Sequence, residues 1–351
     1  VQLASKQAHF FYENNFSQFF LPQDINSGHP PFYGIALALF WKVFTYELWV
    51  GHLFNGLFVL GVIFQSHLIG RYFVGDKWAF AFPLVLFCNP IFLGHSLLVS
   101  PDNPLIFLFL LSINGIISRK PWLLVIGTIF LVLVSMRGMM VVISVFIANL
   151  LWKKTAGQKV DFKDYLVFVP AGICALTFLV AHYFHNKWVG FHNDSPWKES
   201  FNLISYSSYF KNLFIIAWRL IDFGNVFTLF AIGYILYDSK FKVKNLNFFG
   251  SFILALVFVF VIPLAAFKYL TAHRYFMPIY LIFTFAMATW VIEKKFWRLG
   301  IITLVLLFAG NWWIYPRSIS QGWDVSLGHL PFYSLVEEMN AFVKHEQINP
   351  N

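Results

Sequence analysis

Residues 122–152 read WLLVIGTIFLVLVSMRGMMVVISVFIANLLW, two apolar runs with a single charge, Arg137, between them. Whether this stretch is one long helix or two spans decides the topology of the chain, because each crossing exchanges the two membrane sides for everything downstream. A spanning helix takes about 20 apolar residues, fewer where a bundle buries its ends. On that measure the flanking spans are 48–70, 78–98 and 104–118 on one side, and 165–185, 223–237, 248–267, 274–292 and 299–315 on the other. If Arg137 marks a break, giving spans 122–134 and 138–152, every basic loop falls on one face. That face carries Arg71, Lys77, Arg119, Lys120, Lys153, Lys154, Lys159, Lys163, Lys240, Lys242, Lys244, Lys294, Lys295 and Arg298. Positive charge in short loops marks the cytoplasmic side. Without the break, everything downstream inverts. The expectation is therefore an all-α polytopic membrane protein of about ten transmembrane helices.

Composition supports the class. Charged residues make up 12% of the 351 positions and hydrophobic residues 59%, whereas soluble domains carry about 25% charged residues. The 45 Phe and 13 Trp suit a lipid-facing shell with aromatic anchors near the headgroups. A formal charge of +9 would suggest nucleic acid in a soluble protein, but here the basic residues sit in short loops between apolar runs, so no nucleic-acid partner is expected. Cys88 and Cys174 lie inside apolar runs and read as small buried hydrophobes.

No signal peptide is visible, and residues 1–31 read as an outer loop, with an interfacial helix, that joins two spans. The expectation is that a further helix precedes Val1. Residues 32–315 form the transmembrane domain, interrupted by an outer loop at 186–222, and 316–351 form an extracytoplasmic segment. The segment 32–46 is apolar but short. It follows Pro30 and Pro31, which suit a helix start, and reads as a re-entrant or interfacial helix. Loop 186–222 holds His192, Asp194, Trp197 and several Tyr, a mixture found on carbohydrate-binding surfaces and in interfacial segments alike. In 206–221, Phe210, Leu213, Phe214 and Trp218 recur at helical spacing and favour an interfacial helix.

Ionisable residues at the membrane edge are costly, so each asks for a reason. With the break at Arg137, the outer face receives Asp24, His29, Asp102, Arg137, Asp222, Lys268, His273 and Arg274. Singly, each has an ordinary explanation. Asp102 could cap the helix near Pro104, Arg137 could snorkel, Lys268 and Arg274 could attract anionic lipid, and His29-Pro30-Pro31 could be a turn. Together they suit a phosphate-bearing lipid held by Arg or Lys. A carboxylate nearby could hold a divalent cation such as Mg or Mn, or take a proton from a hydroxyl. The usual soluble-enzyme motifs are absent from the sequence: no P-loop, Gly-x-Gly-x-x-Gly, Gly-x-Ser-x-Gly, His-Glu-x-x-His or Cys-x-x-Cys.

The order of these features resembles a known family. Gly28-His29-Pro30-Pro31-Phe32-Tyr33 followed by 36–44, ALALFWKVF, resembles the segment after the first outer loop of GT-C glycosyltransferases, in the branch of protein O-mannosyltransferases and aminoarabinose–lipid A transferases. Asn89-Pro90 with Ser100-Pro101-Asp102-Asn103-Pro104-Leu105 resembles that branch's acidic motif. His273-Arg274-Tyr275-Phe276-Met277-Pro278 is similar to its late Arg/His-Tyr-x-x-Pro motif, and Gln321-Gly322-Trp323-Asp324 with His329-Leu330-Pro331 resembles the tail of bacterial members. The resemblance spans most of the chain, on motifs that are short and degenerate. The resemblance implies a GT-C-like bundle with interfacial helices in its outer loops. It further implies an inverting transferase that moves a sugar from a polyprenyl-phosphate donor to a lipid, glycan or protein acceptor on the periplasmic face of the inner membrane. It also implies that Asp102 lines the site and helps hold a metal or the acceptor, with His29, Lys268, His273 and Arg274 toward the donor phosphate. Arg137 joins this set from topology alone. The principal acid of the family, in the first outer loop, is expected upstream of Val1; Asp24 and Glu13 lie in the same loop, and Asp24 is the candidate within this chain. Two other readings share the features: a flippase or transporter of lipid-linked saccharide, and a surface-polysaccharide polymerase or ligase.

Overall fold

The computed structural model describes residues 2–190, 192, 199, 202–315 and 325–346. These residues are helical, and the one bridge outside helices pairs Leu203 with Phe267. In chain order the helices are α1 (Gln2–Glu13), α2 (Phe32–Val43), α3 (Leu48–Val74), α4 (Ala81–Cys88), α5 (Pro90–Ser96), α6 (Asp102–Ile117), α7 (Pro121–Val134), α8 (Met136–Thr155) and α9 (Lys163–Leu166). Then come α10 (Val169–Asn186), α11 (Tyr206–Ile221), α12 (Asn225–Asp238), α13 (Leu246–Leu256), α14 (Ile262–Leu264), α15 (Met277–Lys294), α16 (Trp297–Ala309) and α17 (Leu330–His345). A π-turn over Val257–Val261 joins α13 to α14.

Five helical stretches among the described residues are long and apolar enough to cross a bilayer, and seven are if each of two bent pairs counts once. Shorter apolar helices at Phe32–Val43, Asp102–Ile117, Pro121–Val134 and Trp297–Trp312 pack between them. The chain is thus a multi-pass helical membrane protein. The stretch around α15 is 83% buried and that around α10 only 22%, so α15 is the central post of the bundle and α10 faces lipid. Exposed Leu60, Phe64, Leu176, Phe258, Ile301 and Val305 continue that outer apolar surface.

Residues 122–152 are two helices. Ser135 is extended, and its hydroxyl accepts a bond from the Gly138 amide at 3.1 Å, capping α8. The chain can fold back this tightly because residue 138 is glycine: a Cβ there would lie 1.8 Å from the Leu131 carbonyl oxygen. Arg137 therefore stands in the first turn of α8, beside the break.

One expectation needs correction. The apolar run 78–98 is not one straight span. At Asn89, whose side chain accepts from the Ile91 amide, the chain turns by 81° from α4 into α5. Pro90 at the start of α5 lacks the N–H that would continue α4, so the break falls where the helix can stop at least cost. Within residues 1–31, helix α1 packs lengthwise on α2, and 14–31 are loop. Ala8, Phe11, Leu37, Ala38, Val50, Phe54 and Val99 form a small core there, separate from the main one. A second sharp bend, of 84°, separates α11 from α12.

The connections sort into two ends. At one, Trp78 stacks on Trp297 at 4.6 Å, Asn247 bonds the Thr155 carbonyl, Lys294 bonds the Lys242 carbonyl, and Lys153 pairs with Asp164. The loops that carry Lys77, Lys153, Lys154, Lys163, Lys242, Lys244 and Lys294 lie at this end. At the other end, the starts of α2, α6, α8 and α15 come together with the α11–α12 bend. Helix α11 lies along this second end. Asn212 bonds the carbonyls of Ala265 and Phe267, while Phe210 and Phe214 stay exposed. Polar clamps tie α3 to α6: Asn103 donates to Asn55 at 3.0 Å, and Asn114 donates to Gln65 at 2.5 Å. In lipid, such interhelical bonds stabilise by about 1 kcal/mol each.

Candidate functional site

The site is built where helices begin. Pro101 and Pro104 bracket the start of α6 and put Asp102 in its first turn, with a side chain only 3% exposed. The Ser135 cap places Arg137 in the first turn of α8. Its Nη2 meets Asp102 Oδ1 at 2.5 Å, and its Nη1 donates to the Arg274 carbonyl at 3.2 Å. Asp102 Oδ2 accepts from Ser100 Oγ at 3.3 Å and lies 3.5 Å from His95 Nδ1.

The guanidinium carbons of Arg137 and Arg274 lie 5.2 and 5.4 Å from the centre of the Tyr275 ring, so one aromatic ring orders both cations. His29 joins from the start of α2, its Nδ1 accepting the Met136 amide at 3.3 Å. That bond puts the ring proton on Nε2. Burial, then the charges of Arg137 and Arg274, push His29 down to about 4, against a smaller opposing pull from Asp102. It is a neutral donor at neutral pH. Residues from 29 to 274 thus meet in one group at one end of the bundle, where helix N-termini add favourable potential for an anion.

A second group adjoins it through the chain. Asp222, at the α11–α12 bend, lies 3.3 Å from His273 Nε2 and 3.8 Å from Arg219 Nη1, and its Oδ1 accepts the Phe223 amide at 2.8 Å. Burial disfavours the charged carboxylate, but hydrogen bonds from His273 and Tyr315 outweigh it and hold Asp222 below the usual carboxylate range. The Tyr315 hydroxyl is pushed up correspondingly, by burial and by that bond. Because His273 precedes Arg274, this group anchors the turn that presents Arg274. Gly310 permits the close packing here, since a Cβ would lie 2.3 Å from the Phe223 carbonyl oxygen.

Of the residues singled out in the sequence, Asp102, Arg137, Arg274 and His29 come together, and His273 stands in the adjoining group. Lys268 does not join them. It is exposed and pairs with exposed Glu199 at 2.9 Å. Asp24 is also elsewhere, exposed in a cleft of about 330 Å³ beside Lys6, His9 and Glu13. Its neighbour Gln23 ties the first loop to the later one, the Gln23 carbonyl lying 2.9 Å from His192 Nε2. Asp194, Trp197 and 321–324 lie outside the described residues.

Sequence reading missed Ser100, His95 and Tyr275 as partners, and also Tyr33, a buried tyrosine within electrostatic reach of Asp102. Tyr275 was findable, lying inside the late motif. His95 was hidden within a run that looked like plain span.

A divalent cation does not fit at Asp102. One carboxylate oxygen is held by Arg137 and the other by Ser100, two guanidinium groups stand beside it, and no set of three His, Cys, Asp or Glu gathers among the described residues. A metal ion would have to displace Arg137 and face Arg274. Comparison of the chain with protein-family models, curated proteins and solved structures finds no match.

Proposed function

We propose that this chain is a glycosyltransferase of the plasma membrane, crossing it about ten times, that takes a sugar from a polyprenyl-phosphate donor. The observation that carries the reading is the gathering of Asp102, Arg137, Arg274 and His29 from four distant segments at the end opposite the basic loops. Positive loops mark the cytoplasm, so this end faces the periplasm or cell exterior. The ten crossings are α3, the bent α4–α5 pair, α6, α7, α8, α10, α12, α13–α14, α15 and α16, with α2 and α11 lying at the outer interface.

In the reaction, an acceptor oxygen forms a bond to the anomeric carbon as the bond from that carbon to the phosphate oxygen breaks. The electron pair stays on the phosphate, which leaves as polyprenyl phosphate. Arg274 and Arg137 meet the charge that develops there, and the neutral Nε2–H of His29 adds a directed donor. Two fixed guanidinium groups suit this task because their forked donors match phosphate oxygens. Asp102 acts as a positioning residue: with both oxygens engaged, it holds Arg137 in place and is poorly placed to accept a proton. The acceptor's proton passes to a base outside this cluster, because Asp24 stands apart from it in its own cleft. Inversion at the sugar carbon follows from a single displacement.

A second reading has its own support. The bends at Asn89 and near Asn225 touch, Asn89 Nδ2 donating to Asn225 Oδ1 at 2.7 Å. Discontinuous helices meeting inside a bundle are a device of transporters, which favours a flippase for a lipid-linked saccharide as the alternative. The two separate by substitution. Arg274→Ala and Asp102→Asn are expected to abolish sugar transfer while folded protein remains in the membrane. Full transfer by both variants would overturn the assignment of the site.

A further inference from the structure

The end of the bundle away from Asp102 carries a concavity that sugar transfer does not use. Helix α8 stops there at Gly157, whose φ of +68° turns the chain back, and the Gln158 amide returns to the Lys153 carbonyl at 2.9 Å. The reversed chain then runs beside the end of α8 and encloses a cleft of about 410 Å³. Leu150, Leu151, Val160 and Tyr165 supply apolar walls, and Lys154 and Gln158 supply the polar groups. The two adjacent lysines differ. Lys153 is neutralised by Asp164, whereas Lys154 has no acidic partner among the described residues. The rim is amphipathic as well, since Phe162, Tyr165 and Leu166 are exposed while Lys159 and Lys163 flank them.

We infer that this cleft holds the head of an anionic phospholipid, with its phosphate against Lys154 and the side-chain amide of Gln158 and its first acyl carbons against Leu150, Leu151, Val160 and Tyr165. Topology alone requires lysines in this loop, but not a cation without an acidic partner among the described residues, lining a cleft with apolar walls. Charge complementarity selects the anionic class over zwitterionic lipid.

Native mass spectrometry of the full chain released from detergent tests this with phosphatidylglycerol and phosphatidylethanolamine. The wild type is expected to retain one phosphatidylglycerol with at least about fivefold preference, the effect of one well-placed lysine. Lys154→Glu is expected to remove that preference, and Lys154→Gln to reduce it without inserting an acid. Lys242→Glu, on the neighbouring basic loop and outside the cleft, is expected to leave it unchanged. Equal retention of the two lipids by the wild type would overturn the proposal. So would an equal loss in Lys242→Glu, which would mean bulk charge only. Displacement by glycerol phosphate at matched concentration would also overturn it, by showing a site for free anions rather than lipid.

Discussion

The ion pair between Asp102 and Arg137 makes the sharpest demand on the structure. The Asp102 side chain is 3% exposed and that of Arg137 14%, so neither is relieved by water when its partner goes. In Arg137→Gln the carboxylate keeps the Ser100 hydroxyl at 3.3 Å and the neighbouring His95, but loses its cation. Breaking a buried pair from one side costs about 3–5 kcal/mol. The bond from Arg137 to the Arg274 carbonyl adds about 1 kcal/mol. Arg137→Gln should therefore destabilise by about 4 kcal/mol. Asp102→Asn should cost about 3 kcal/mol, because the amide keeps the shape but leaves the buried guanidinium uncompensated. The double variant replaces the ion pair with two neutral amides that can bond each other. It should lose about 4–5 kcal/mol in total, so the coupling is about 2–3 kcal/mol. Equilibrium unfolding in mixed micelles measures all four corners of the cycle. Additivity within about 0.5 kcal/mol would refute the pairing and, with it, the positioning role of Asp102.

Other expectations follow from the same geometry. Because the folded-state value of His29 is about 4 against an ordinary 6.5, the unfolded chain binds its proton first as acid is added. The stability from neutral, half-buried His29 is present above pH 6.5 and is lost as pH falls toward 4, amounting to about 3 kcal/mol. A thermal midpoint that falls over this window in the wild type, and less in His29→Gln, is the expected result. Gly138→Ala puts a methyl 1.8 Å from the Leu131 carbonyl oxygen and should cost at least about 2 kcal/mol while reducing transfer, since Arg137 shifts with it. Gly172→Ala, which meets nothing within 4 Å, should be neutral in the same melts. In intact cells, an impermeant thiol reagent should label Ser207→Cys from outside and leave Lys242→Cys untouched.

The helices of the bundle were legible because a bilayer demands long apolar runs and nothing else in the composition competes with that signal. The break beside Arg137 was legible for a different reason: only two spans there put Lys120 and Lys153 on the same side. Helix α11 was visible from the spacing of Phe210, Phe214 and Trp218, and α2 from its shortness after two prolines. The bend between α4 and α5 was not read, although Asn89-Pro90 marks it, because hydropathy is continuous through a run whether it is straight or folded. Lys268 and Arg274 look equivalent in sequence, six residues apart on one connection. Only the fold of the loop beneath them sends Lys268 outward to Glu199 and Arg274 inward to Tyr275. Asp24 likewise carries no mark in sequence of its place in a cleft with Lys6, His9 and Glu13, apart from Asp102. Side chains at element boundaries are aimed by tertiary contacts, and their direction is the part that hydropathy and charge counts do not encode.

The central claim is bond formation at the Arg274 end of the bundle. The most direct measurement reconstitutes the full chain in liposomes with a radiolabelled polyprenyl-phosphate sugar and an acceptor, then follows the label. A new glycosidic bond with release of polyprenyl phosphate, lost in Arg274→Ala, is the expected result. Label that crosses the bilayer while still attached to its lipid, with no new bond formed, would contradict it in favour of a transporter.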